Sequence, residues 1–174
     1  MVRGCLCAAI IAPGFWVGAG HAQVPDVAEI VPGSVEWERI LPVARDLRFD
    51  GDAATVAKKP ILIFFNLTAC PYCRAALREA IVPMFRNAGW RSALEFRQVT
   101  IDDGRFLIDF DGKTVSSSEF ATRFKGRFTP SVMLVDGRGQ LLGDPIVGIA
   151  NVDFYGGYVE ALAKRAIEEM RTRP

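Results

Sequence analysis

Two cysteines separated by two residues constrain this chain more than any other feature. Cys70-Pro71-Tyr72-Cys73 follows directly on the apolar run of residues 61–65, Ile-Leu-Ile-Phe-Phe, and a helix-like pattern begins at Pro71. A C-x-x-C pair set between a buried strand and a helix reads as a redox pair. The positive end of a helix and its free amides favour a thiolate at Cys70. A second sulfur one helical turn on can reach back and close a disulfide. Two other readings compete, half of a zinc site and a purely structural disulfide.

The N-terminus decides which other side chains can assist that pair. Arg3 gives a short positive start, residues 4–20 are apolar and small with a break at Pro13, and Gly20-His21-Ala22 places small residues where a signal peptidase reads. The pattern predicts a secretory signal over residues 1–22, cut before Gln23. A flexible tether is expected over 23–34 and a single domain over 35–174. An uncleaved anchor is the alternative, but the run is short for a bilayer span and holds a proline. Cys5 lacks the leucine-led context of a lipoprotein site. Cleavage would remove Cys5, Cys7, Arg3 and the one histidine, His21. Cys70 and Cys73 would then be the only cysteines, with no histidine for a triad and too few ligands for a structural zinc. Without Arg3 the basic residues equal the 20 acidic ones. No basic block marks a nucleic-acid partner, and the mature form is not expected to span a membrane. An exported pair meets oxidising conditions, where a disulfide persists.

Half of the 174 residues are hydrophobic, enough for one real core. The continuous run at 61–65 predicts a central strand covered on both faces. Residues 37–41 and 44–47 read as a short helix or edge segment, which Ser34 would cap. A short helix is expected over 52–59, before Pro60. After Pro71 the helical spacing continues to Pro83, which should kink or end the helix, with Asn87-Ala88-Gly89 finishing it. Residues 94–101 predict a second strand, 105–113 an elaboration, and 116–125 a serine-capped helix stopping at Gly126. A proline-led strand follows at 130–135, then the Asp136-Gly137-Arg138-Gly139 turn, a return strand and a helix from about Val152. On that helix Phe154, Tyr158, Leu162, Ala166 and Met170 are expected to share one face.

This order, strand, C-x-x-C helix, strand, helix, Phe128-Thr129-Pro130-Ser131 leading a strand, hairpin and helix, resembles the thioredoxin superfamily over roughly residues 35–172. The implied fold is α/β: a central mixed sheet flanked by helices, with an N-terminal extension and a small insertion before the proline strand. The signal, Thr129-Pro130 and Phe154-Tyr155-Gly156-Gly157-Tyr158 look most like periplasmic thioredoxin-like proteins of bacterial sulfur oxidation, of the SoxW or SoxS type. The C-P-Y-C tetrad has the glutaredoxin form. The resemblance implies that Cys70 is the exposed nucleophile and Cys73 the resolving thiol, with Pro71 and Tyr72 as supporting residues. It also implies a cis Pro130 facing the pair, with the Thr129 backbone offered to an extended substrate segment. No cofactor and no metal is implied.

The departures matter. The acidic residue that thioredoxins carry six before the first cysteine is Phe64 here, and the usual tryptophan before it is Ala69. Glu79 is a candidate substitute, and Arg74 and Arg78 are candidates to favour the thiolate, each with a bland reading as a solvated helix charge. The expected function is a periplasmic thiol–disulfide oxidoreductase that reduces exported disulfide-bearing proteins, with a membrane thiol-electron transporter as reductant. The alternatives are an oxidase or isomerase, or a non-catalytic metal-binding or chaperone module, for which Met133 is the nearest extra ligand candidate.

Overall fold

The computed structural model describes residues 35–173. The expected signal, tether and Ser34 cap lie outside them. Strand β1 (Ile61–Asn66) is buried at all six positions, as an apolar run without alternation demands. It pairs in parallel with β2 (Glu95–Thr100) and antiparallel with β5 (Ser131–Val135). β5 pairs antiparallel with the short β6 (Ile146–Val147), giving the order β2-β1-β5-β6. The expected parallel crossover and antiparallel edge pair are both present.

Successive side chains of β1 point to opposite faces, and each face has its own core. Leu62 and Phe64 join the cysteines, Leu77, Tyr155 and Leu162. Ile61, Ile63 and Phe65 pack with Leu47, Ala54, Val99 and Phe120. Each fully buried side chain of this size contributes about 1.5–3 kcal/mol. Helices α1 (Val35–Ile40) and α2 (Leu47–Ala57) precede the sheet. Helix α2 starts five residues earlier than residue 52, because Asp46 caps it by accepting from the Phe49 amide at 2.8 Å. Gly51, a poor helix former, hides this start in the sequence.

The crossover from β1 to β2 begins with α3 (Pro71–Ala76) and passes through a π-helical turn (Leu77–Ile81) into α4 (Val82–Arg86). Val82 donates to Leu77, five residues back, which sets Pro83 in the first turn of α4. A proline there loses no helical donor. The helix finishes at Asn87 as expected, the C-cap of α4, but Ala88 and Gly89 already open the next one. The Asn87 side chain accepts from Gly89 and Trp90 and starts α5 (Ala88–Ala93).

The elaboration after β2 is a hairpin, β3 (Phe106–Ile108) and β4 (Thr114–Ser116), followed by α6 (Ser117–Arg123), which Ser116 caps. Asp109 organises the hairpin turn. One oxygen accepts from the amides of Asp111 and Lys113, and the other from Arg123 at 2.7 Å. Burial alone would raise the Asp109 pKa, but the Arg123 hydrogen bond and the two amides outweigh it and hold the carboxyl below its ordinary 3.8. A lowered folded value means the contribution is complete above the ordinary carboxylate range and is lost as pH falls through the folded value. Asp109→Ala should cost about 2–3 kcal/mol at neutral pH. Thermal unfolding of both proteins against pH should show that gap narrowing below about pH 4.

Helix α7 (Val152–Thr172) closes the fold over the cysteine side of the sheet. Its face is rotated from the expected one in the first two turns. Phe154 and Tyr158 are 61% and 58% exposed, while Tyr155 and Val159 are buried. Aromatic residues at 154, 155 and 158 leave that choice open in the pattern. The close approach of Gly156 to the π-helical turn accompanies this rotation: a Cβ there would stand 3.5 Å from the Glu79 carbonyl.

Candidate active site

Cys70 is the N-cap of α3. Its backbone is extended, Pro71 occupies the first helical turn, and the Cys70 sulfur accepts from the Cys73 amide at 3.1 Å. The two sulfurs form a disulfide of 2.03 Å with the Cα atoms 5.2 Å apart. Cys70 keeps 6% of its surface and Cys73 none. On reduction, the amide that meets the Cys70 sulfur would face a thiolate, the charge a helix N-terminus favours. Tyr72 stands exposed beside the pair, as does Pro71.

The second wall is the loop before β5. The Thr129–Pro130 peptide is cis, and the Thr129 hydroxyl lies 3.8 Å from the Cys70 sulfur. The loop is anchored on both sides. Ser131 donates its hydroxyl to the Phe128 carbonyl, and the Gly148 amide donates to the Pro130 carbonyl at 2.7 Å. Pro130 is buried and Phe128 is 75% exposed. Among the described residues no backbone partner holds the amide or carbonyl of Thr129. An extended segment carrying a disulfide therefore has main-chain groups to meet next to Cys70. The structure thus brings together Cys70, Pro71, Tyr72, Cys73, Thr129 and Pro130.

The other candidates fall elsewhere. Glu79 pairs with Arg78 at 2.7 Å, with 42% of its side chain exposed, so it is a solvent-side helix charge rather than a buried base. Phe64 fills its position completely. Arg74 is half-buried and has no acidic partner among the described residues. Met133 belongs to the core on the opposite face of the sheet from the cysteines. Among the described residues no three His, Cys, Asp or Glu side chains gather as metal ligands.

Two polar features escape sequence reading. Tyr155 shares the apolar cluster of the cysteines, and its buried hydroxyl has no partner among the described residues. Burial pushes this hydroxyl up, so it stays neutral at ordinary pH. Asn66, Gln98 and Thr100 form a buried hydrogen-bonded group at the end of β1. Their polar character looks like an exposed strand end in the sequence. Only the in-register pairing of β1 with β2 joins them.

A dithiol at a helix N-terminus, faced by a cis-proline loop on a four-stranded mixed sheet, is the arrangement of the thioredoxin-fold class. Within it, the chain belongs to the family of thioredoxin-like domains, which matches residues 50–161. Solved structures similar to this chain include a thioredoxin-fold protein from Helicobacter pylori, at 16% identity and a TM-score of 0.45, over 66% of this chain and 85% of that one. Oxidised mitochondrial thioredoxin 3 from Saccharomyces cerevisiae is similar at 18% identity and a TM-score of 0.46, over 70% of this chain and 93% of that one. Reduced thioredoxin pre-protein of Schistosoma mansoni is similar at 20% identity and a TM-score of 0.45, over 71% and 93%. No curated protein matches the chain.

Proposed function

We propose that this protein is a periplasmic thiol–disulfide oxidoreductase that reduces disulfides of exported partner proteins. The observation that carries the reading is the Cys70 sulfur, held on the Cys73 amide and 3.8 Å from the Thr129 hydroxyl. The Cys70 thiolate attacks one sulfur of the partner disulfide. That bond breaks, a Cys70–partner bond forms, and the other partner sulfur leaves as a thiolate. Cys73 gives its proton to water and attacks the Cys70 sulfur. The partner leaves with both sulfurs reduced, and its two electrons have come from the pair, now a disulfide. A membrane thiol-electron transporter returns the two electrons. The signal-like N-terminus and the resemblance of the sequence to periplasmic thioredoxin-like proteins support the location and the reductase reading. The same steps run in reverse describe an oxidase, and the potential of the pair against its compartment sets which one operates.

Trapping tests the reading. In exported full-length protein, Cys73→Ser should accumulate a mixed disulfide through Cys70, visible as a band lost on reduction and identified by mass spectrometry. Trapping by Cys70→Ser instead would reverse the two roles. No adduct with either variant, together with a pair that resists dithiothreitol, would make the disulfide structural. Titration against glutathione buffers separates a reductase from an oxidase.

A further inference from the structure

The pairing of β1 with β2 does not stop where the strands end. It continues as polar rungs into the turn that leads to Cys70. Thr100 donates its hydroxyl to the Asn66 side chain at 2.8 Å, and the Ile101 amide donates to the Asn66 carbonyl at 2.9 Å. Two residues further on, Thr68 gives both its amide and its hydroxyl to the two oxygens of Asp102, at 2.9 and 2.7 Å. The register is that of the strands, where Asn66 faces Thr100. The inner rung is fixed from behind. Asn66 donates to Gln98, whose amide nitrogen donates to the carbonyls of Trp37 and Leu41 at 3.0 and 2.6 Å.

Only residues 67–69 separate Asn66 from Cys70, and Thr68 is the middle one. We propose that Asp102 is a positioning residue that, through Thr68, holds this turn so that Cys70 sits at the N-cap of α3 with its sulfur on the Cys73 amide. The inference rests on the dithiol chemistry proposed above. The helix holds Cys70 from one side only, through the Arg74 and Cys73 amides on its carbonyl and sulfur, and its extended backbone leaves the turn before it to set the other side. Leu67 anchors the inner end of that turn against the cysteine core, and Asp102 anchors the apex.

Asp102 also carries a charge, and among the described residues no Lys or Arg pairs with it. A nearby negative charge disfavours a thiolate, whereas correct placement on the helix amide favours it. The two effects have opposite signs and can be separated. Asp102→Asn keeps an acceptor for the Thr68 amide and offers a donor to its hydroxyl, without the charge. Asp102→Ala removes both bonds and the charge. Tyr72 and Arg74 of α3, Arg127 ahead of the cis peptide, Asp103 beside Asp102, and Asp153 and Tyr155 in the first turn of α7 are ionisable groups carried by these elements. They are common to every variant.

The test is the pH profile of Cys70 alkylation by iodoacetamide in the reduced full-length protein, followed by mass. Asp102→Asn should alkylate at pH 6 at least as fast as wild type. Asp102→Ala should be about three- to tenfold slower than Asp102→Asn, with its half-maximum at higher pH, the scale of losing one cap interaction. Thr68→Val, which keeps the amide bond and loses the hydroxyl, should fall in between. Equal profiles for the Ala and Asn variants would overturn the proposal. So would a lower melting temperature for Asp102→Ala with an unmoved profile, the sign of a purely structural bond. A wild-type protein that alkylates in this way but reduces no partner would overturn the exchange reading and leave the comparison of the two variants standing.

Discussion

Cys70→Ser should bring dithiothreitol-driven reduction of insulin down to the uncatalysed rate. A loss of about 10³-fold or more is the scale on which removing a nucleophile acts in covalent catalysis. The loss should be chemical, not structural. Serine is among the best N-cap residues, and its hydroxyl can accept from the Cys73 amide as the sulfur does. The reduced variant should therefore melt near the temperature of reduced wild type. Its hydroxyl does not ionise near neutral pH, so it does not replace the thiolate. Cys73 cannot take over, because it has no exposed surface and an incoming disulfide sulfur has no path to it. Cys73→Ser should behave differently, attacking once and then stalling as the mixed disulfide. If Cys70→Ser kept more than a tenth of wild-type turnover, the nucleophile would have to be Cys73. If wild type and both variants matched the background, the pair would be a staple.

Much of this site is legible in the chain because it is local. Cys70, Pro71 and Cys73 lie within one helical turn, the strand before them is one unbroken apolar run, and a proline marks the strand that faces them. Each signal needs only a few neighbouring residues. What escapes is what needs register or rotation. Thr68 and Asp102 are 34 positions apart and meet only because β1 and β2 pair in parallel without a slip. Asp102 in the sequence is one more turn acid. Tyr155 differs from Phe154 by one position, and a 100° rotation of α7 decides which is buried. A 3.6-residue period with aromatics at 154, 155 and 158 does not choose between them. The π-helical turn is of the same kind, since Pro83 announces a disturbance without saying how the helix absorbs it.

The pole of the sheet opposite the cysteines should be the most sensitive to a single methyl group. There α2 lies against the turn after β5, backbone on backbone. A Cβ on Gly137 would run into the Gly51 carbonyl and the Thr55 hydroxyl, and a Cβ on Gly51 would run into the Gly137 carbonyl. Neither glycine adopts a positive φ, so space and not backbone freedom selects them. The atoms in the way are mostly main chain, which cannot turn aside as a long side chain can. Relief requires α2 to move off the sheet, loosening Leu47 and Ala54 from Ile61 and Ile63. Gly137→Ala should cost about 3 kcal/mol, at the upper end for overpacking, and lower the melting temperature by about 10 °C. Gly104→Ala is the control, because Gly104 has φ +69° and open space around it. It should cost only about 1 kcal/mol, from the left-handed backbone alone. Adding Thr55→Ala to Gly137→Ala removes the hydroxyl contact but not the Gly51 carbonyl, so it should restore only part of the loss. The length of β5 separates this contact from Pro130 and the cysteines, so exchange per folded molecule should stay at the wild-type rate while stability falls. A Gly137→Ala protein that melts with wild type would mean that α2 does not sit this close to the turn.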